Sequence, residues 1–247
     1  MNDASNSKLV LEVADLSAAY DGRRVLNNVS VKISEGESMA LIGPNGCGKS
    51  TFLRTVAGLL AAQSGNVRLN GVLIGQQSVS QRINHGLGYL KQSRNVFEGL
   101  TVVDNLVLAA RATDKKPAAE KRRQEILEIF PMLSHKLNTR AGLLSGGQKQ
   151  SLAVAMVLMR PARVLLLDEP VAGLSSAVGN ELLLALRRIQ EAMGFAVIIV
   201  EHRLALIQPH ISRVLVMREG NFVDDTRETH RMLDAAWVSA HYEAHMK

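Results

Sequence analysis

The chain is short of cysteine and of long apolar runs, and each shortage excludes something. Its 247 residues include a single cysteine, Cys47, so no disulfide can form within the chain and a reducing compartment is implied. No apolar stretch approaches the roughly 18 residues that a membrane-crossing helix needs. The longest candidates, Val164–Leu167 and Ala196–Val200, have the length of buried strands. Residues Met1–Lys8 are polar and lack the apolar core of a signal peptide, which predicts a cytoplasmic protein. There is no internal repeat and no low-complexity segment.

What remains is ordinary globular composition, 47% apolar and 21% charged, with enough length for one large domain or two small ones. The net charge of +6 permits a nucleic-acid or membrane-surface role, but the basic residues are scattered. The densest group runs from Lys115-Lys116 to Lys121-Arg122-Arg123 and is interleaved with Glu120 and Glu125. It reads as a solvated loop and helix face, with an acidic surface or lipid headgroups as the alternative.

Hydrophobic patterning divides the chain. Up to about Gly75 it reads as strands, at Leu9–Val13, Val29–Ile33, Ser38–Ile42 and Val67–Leu69, with turns at Asp21-Gly22 and Asn70-Gly71. Thr101, with Asp104 after it, opens a helical pattern to Arg111. Further helices are predicted at 118–130, stopped at Pro131, and at 146–159. Alternation follows: strand Val164–Leu167, helix Val178–Met193, strand Ala196–Val200 and strand Val214–Met217. This order predicts an α/β fold, a mostly parallel sheet with an antiparallel N-terminal β portion and a helical insert. The expected division is a single domain over 1–247. Its core spans about 9–92 and 160–226, its helical subdomain about 93–159, and its helical tail about 227–247.

Three motifs carry chemistry. Gly43-Pro44-Asn45-Gly46-Cys47-Gly48-Lys49-Ser50 fits G-x-x-x-x-G-K-S/T in full, after the strand Met39–Ile42 and before a helical pattern from Thr51 to Leu60. In that context the glycines let backbone amides wrap phosphates. Lys49 reaches the β and γ oxygens, and the Ser50 hydroxyl ligates Mg²⁺. The strand Val164–Leu167 delivers Asp168 and Glu169 at its C-terminal end, where α/β folds bind ligands. Asp168 is the candidate Mg²⁺ anchor, and Glu169 the candidate general base that orients water. Leu144-Ser145-Gly146-Gly147-Gln148 opens a helix and forms a second anion cradle. Cys47, near a helix start and beside Lys49, is expected to favour thiolate and to be open to alkylation. His241 and His245, one helical turn apart, have no evident third ligand and read as solvated.

With these motifs in this order, the chain from Leu9 to about Thr226 resembles the ATP-binding cassette (ABC) ATPases of membrane transporters. The resemblance implies ATP and Mg²⁺ as cofactors. It also implies a head-to-tail pair of ATPase subunits, each ATP lying between the phosphate loop of one and the LSGGQ of the other. It implies nucleotide contacts from Gly43 through Thr51 and from Ser145, Gly146, Gly147 and Gln148 of the opposite chain. Tyr20 matches the aromatic residue that stacks on adenine. Gln92 matches the glutamine that senses Mg²⁺, and His202 the histidine that meets the γ-phosphate. The catalytic set is then Lys49, Gln92, Glu169 and His202, with Ser50, Gln92 and Asp168 around the metal.

Ser93-Arg94-Asn95-Val96-Phe97 and Leu100-Thr101-Val102 are similar to importers of branched-chain amino acids and amides such as urea. That likeness implies permease subunits in the membrane, an external substrate-binding protein, and a peripheral place on the cytoplasmic face, with no nucleic acid. Two positions depart from the family pattern: Ser175 replaces an aspartate, and Met156 replaces an arginine. Both suggest a non-identical ATPase partner. Soluble ABC ATPases and exporters remain the alternatives. A simple P-loop kinase or GTPase is disfavoured by LSGGQ, Gln92 and His202.

Overall fold

The computed structural model describes residues 8–20, 22–93, 95–110 and 116–242, with the backbone alone at 116 and 117. Asp21 of the first expected turn, Arg94, Arg111, Lys115 and His245 lie outside the described residues, as do the two chain ends.

Ten strands and nine α-helices form among the described residues. The strands are β1 (Leu9–Tyr20), β2 (Arg23–Ser34), β3 (Ser38–Ile42), β4 (Ser64–Leu69), β5 (Val72–Leu73), β6 (Leu87–Leu90), β7 (Val164–Asp168), β8 (Ala196–Val200), β9 (Arg213–Arg218) and β10 (Asn221–Thr226). The helices are α1 (Lys49–Ala57), α2 (Val79–Asn84), α3 (Val102–Ala110), α4 (Lys116–Ile129), α5 (Pro131–Ser134), α6 (Gly146–Leu158), α7 (Ser176–Met193), α8 (Leu204–Ile207) and α9 (Ala235–Tyr242).

Two sheets result. A four-stranded antiparallel sheet runs β2-β1-β4-β5, and a six-stranded sheet runs β10-β9-β3-β8-β7-β6. The second is parallel from β9 to β6, with β10 added antiparallel at its edge. Its central strands are buried at every position because both faces are covered, and they are mostly apolar. Alternation then sorts their side chains. Ala40, Ile42, Leu165, Leu167, Val197 and Ile199 enter a core with α3, α6 and α7. Met39, Leu41, Val164, Leu166, Ile198 and Val200 enter a second core, shared with α1 and the antiparallel sheet.

The first two strands are twelve residues each, much longer than their apolar segments predict. Asp15 and Asn28 sit at φ 51° and 48°, and the β1–β2 register shifts around them. Such bulges let pairing resume after a polar interruption. β10 went unpredicted because Asp224-Asp225 hides its alternation. α2 is a six-residue helix closed by a Ser78–Gln81 capping box. Pro131 stops α4 as expected and also occupies the first turn of α5. The basic residues of α4 pair with its own acids, Arg123 with Glu120 at 2.6 Å and Arg122 with Glu125 at 3.6 Å. The tail is a 3₁₀ turn (Thr229–Leu233) followed by α9. His241 is not solvated: its Nε2 lies 3.2 Å from Asp224 and its Nδ1 lies 2.7 Å from the Trp237 carbonyl.

One buried cation joins these parts. Arg82 donates to the carbonyls of Thr55 (2.9 Å), Val56 (2.7 Å), Gly75 (2.6 Å) and Gln77 (3.1 Å). It thereby satisfies orphan carbonyls at the end of α1, where the helix dipole favours a cation. Gly58, at φ 82°, ends α1, and a Cβ there would lie 2.7 Å from the Arg82 guanidinium. Arg82→Ala should therefore lower the unfolding free energy by about 3 kcal/mol, measured by urea titration. Arg82→Lys should recover only part of it, because an ammonium cannot fork to four carbonyls.

Candidate nucleotide site

Parallel pairing gathers the site. Leu41 on β3 and Asp168 on β7 both register against Val200 on β8. The phosphate loop, the Asp-Glu pair and His202 therefore emerge side by side at the C-terminal ends of adjacent central strands. They surround a cavity of about 520 Å³ lined by Asn45, Gly46, Gly48, Lys49, Ser50, Thr51, Gln92, Glu169, Val200 and His202.

The loop is shaped by glycine. Gly43, Gly46 and Gly48 have φ of 151°, 77° and 116°. A Cβ on Gly43 would lie 2.0 Å from the Met217 carbonyl, so no other residue fits. Lys49 is buried, and its Nζ donates to the carbonyls of Gly43 (2.7 Å) and Pro44 (2.9 Å). Backbone amides at the start of α1 and this ammonium give the cavity floor the polarity that a polyphosphate requires.

Asp168 is buried at the end of β7 and accepts the Ser50 hydroxyl at 3.1 Å. Burial pushes its carboxyl above the ordinary aspartate range, against the Ser50 hydrogen bond, with the Glu169 charge adding to the rise. A hydroxyl and a carboxylate at this distance form a hard oxygen pair suited to Mg²⁺.

Glu169 follows at φ 52°, a backbone position costly for a residue with a side chain. Its N–H is tied to the Val200 carbonyl at 2.9 Å. Its carboxylate accepts Gln92 Nε2 at 2.7 Å on one oxygen and meets His202 Nε2 at 3.2 Å on the other. The structure thus brings Gln92, Glu169 and His202 into one contact chain above the loop.

Other expected residues sit elsewhere. Tyr20 is 54% exposed at the end of β1 and does not line the cavity. Gly43, Pro44 and Cys47 form the back of the loop. Cys47 is buried, and burial raises its thiol pKa despite Lys49 beside it, which overturns the expected bias to thiolate. The helix dipole and one cation do not offset the lost hydration.

Ser145–Gln148 lines no part of this cavity. Ser145 caps α6 in a capping box, accepting the Gln148 N–H while Gln148 Oε1 accepts the Ser145 N–H. The amides of Gly146 and Gly147 remain at the helix start. A Cβ on Gly147 would lie 2.5 Å from Val178, which explains the glycine. Ser175 caps α7 by accepting the Val178 N–H at 3.4 Å, a task that an aspartate also performs. Met156 lines a mostly apolar cleft with Leu87, Tyr89 and Val157.

Sequence reading passed over Glu201 and Arg203. Buried Glu201 accepts the N–H groups of His202 (2.8 Å) and Arg203 (3.2 Å), fixing the loop after β8. Arg203 reaches the Leu174 carbonyl (2.7 Å) and Ser176 Oγ (2.8 Å), tying that loop to the segment before α7. An acid between an apolar strand and a histidine was the available signal for Glu201; Arg203 offered none.

The fold and this site define a P-loop nucleotide hydrolase. The ABC transporter family model matches residues 26–172. The chain belongs to that family, and it is an ATP-binding, ATP-hydrolysing cassette. It is 38% identical to a probable branched-chain amino acid transport ATP-binding protein, LivF, of Archaeoglobus fulgidus, over 78% of this chain and 81% of the relative. It is 34% identical to the sulfate/thiosulfate import ATP-binding protein CysA of Escherichia coli K12, over 85% of this chain but only 58% of the relative's length. A solved ABC-transporter cassette in its ADP conformation superposes with a TM-score of 0.83 at 25% identity, covering 94% of this chain and 97% of that one.

The Asp168 shift makes a prediction. A carboxyl raised by folding contributes stability below the ordinary aspartate pKa and loses it as pH rises through the folded value. At neutral pH the buried charge therefore destabilises the nucleotide-free chain. Asp168→Asn should raise its melting temperature by about 2 °C or more at pH 7 to 8. The gain should vanish in acid, as read by calorimetry.

Proposed function

We infer that the chain is the ATPase subunit of an importer of small amino acids or amides, branched-chain amino acids first among them. The observation that supports its mechanism is the Glu169 carboxylate held between Gln92 and His202 over the phosphate loop. A carboxylate fixed at both oxygens is oriented to accept a proton from attacking water, while the Lys49 ammonium meets the β- and γ-phosphate charge. Ser50 and Asp168 hold Mg²⁺, which neutralises phosphate charge when bound. Tyr20 offers its exposed ring to adenine.

Ser145, Gly146, Gly147 and Gln148 serve the site of a second ATPase subunit docked head to tail, since they face no part of their own chain's cavity. The helical segment between β6 and β7 is read as the subdomain that presents them. Ser175 and Met156 favour a non-identical partner. Permease subunits and, through them, an external binding protein complete the assembly on the cytoplasmic face of the membrane. Among the described residues, no helix is long and apolar enough to cross a membrane. The choice of cargo rests on the LivF likeness and on the Ser93–Phe97 stretch.

Two measurements test this reading. Glu169→Gln should cut ATP turnover at least about 100-fold while ATP binding persists, because orientation of water is lost and the phosphate cradle is kept. Uptake by cells lacking the chain should fall for labelled leucine and recover on complementation. Loss of sulfate uptake alone, or failure of membrane subunits to co-purify with the tagged chain, would overturn the importer assignment.

A further inference from the structure

The C-terminal helix reaches the nucleotide site from behind. α9 brings up Tyr242, whose hydroxyl accepts the Gly43 N–H at 3.1 Å. Gly43 opens the phosphate loop and is buried. Its carbonyl takes the Lys49 ammonium, and its α-carbon is pressed against the Met217 carbonyl. The Tyr242 hydroxyl thus completes the hydrogen bonding of the residue on which the loop turns. Neither Gly43 nor Tyr242 lines the cavity, so the contact lies on the side away from the ligand.

α9 is held in place independently of that contact. His241 bridges Asp224 on β10 and the Trp237 carbonyl, and the Trp237 and His241 rings lie 4.4 Å apart. Burial raises the Tyr242 phenol pKa, so it stays a neutral hydroxyl with lone pairs to offer. Sequence reading treated this segment only as a helical tail.

We propose that Tyr242 is a positioning residue for nucleotide binding, its hydroxyl holding Gly43 and hence the phosphate loop in the conformation that receives ATP. The proposal rests on the loop's being the ATP site. A buried amide without a partner is costly, so without this hydroxyl the loop gains a reason to rotate Gly43 toward water. Each turned-away loop conformation must be reversed when phosphate binds, and that reversal is subtracted from affinity. Gln92, Glu169 and His202 stand on other elements, and Lys49 meets the phosphates once the site is filled, so turnover by the filled site stays nearly unchanged.

The test compares the full chain with its Tyr242→Phe variant, which keeps the ring and loses only the hydroxyl. ATP is titrated by calorimetry in a Glu169→Gln background, and KM and kcat are measured without that background. All titrations are run well below both unfolding transitions. The expected result is affinity weakened and KM raised by about threefold to tenfold, the worth of one hydrogen bond. The kcat should stay within about twofold. Asp224→Ala, which removes the side chain that His241 of α9 meets on β10, should weaken ATP binding in the same direction. Unchanged affinity in Tyr242→Phe, or a fall in kcat at constant KM, overturns the proposal. Absence of ATP binding by the parent chain would instead overturn the assignment of the loop.

Discussion

The site depends on the parallel register of three strands. Val200 on β8 stands opposite Leu41 on one side and Asp168 on the other. A shift of one residue at either seam would turn alternate side chains to the wrong core and carry Asp168 away from Ser50. The alternation that fills two cores with Val, Ile and Leu is therefore also what aligns the phosphate loop, the two acids and His202. Packing energy is spread over many side chains, and the chemistry takes its geometry from that sum.

Around this frame, cations and anions are handled differently. Lys49 and Arg82 are buried cations held by backbone carbonyls, Lys49 at the turn of the loop and Arg82 at the end of the following helix. Carbonyls hold each cation by dipoles alone, which leaves Lys49 without a carboxylate partner at the cavity among the described residues. The acids fall into two kinds. Asp168 is buried with one hydroxyl and held above its ordinary pKa, whereas Glu169 sits partly exposed between an amide and an imidazole. Adjacent carboxylates with different surroundings suit different tasks.

Much of this was legible in the chain. The glycine-rich loop, the apolar strand ending in Asp168-Glu169 and the capped LSGGQ helix are local patterns, each stated within a dozen residues. The α/β class followed from their order. The long β1 and β2 were not legible, because bulges at Asp15 and Asn28 interrupt the alternation that marks a strand. β10 was masked by two aspartates whose charges are answered by Arg213 and His241, partners supplied by other elements. Cys47 was misjudged because the chain does not show that its side chain packs into an apolar core, where lost hydration outweighs the nearby Lys49.

Sequence alone determined which candidate groups this protein offers for phosphate, for metal and for proton transfer, because such groups are marked by residue types at fixed short spacing. Tertiary structure alone decided how they face one another. It set Glu169 between Gln92 and His202, kept Ser145–Gln148 out of its own chain's cavity, buried the Cys47 thiol and brought Tyr242 to Gly43. The physical reason is that these contacts join residues far apart in the chain. They exist only once two cores have packed and the strands between them have taken their register.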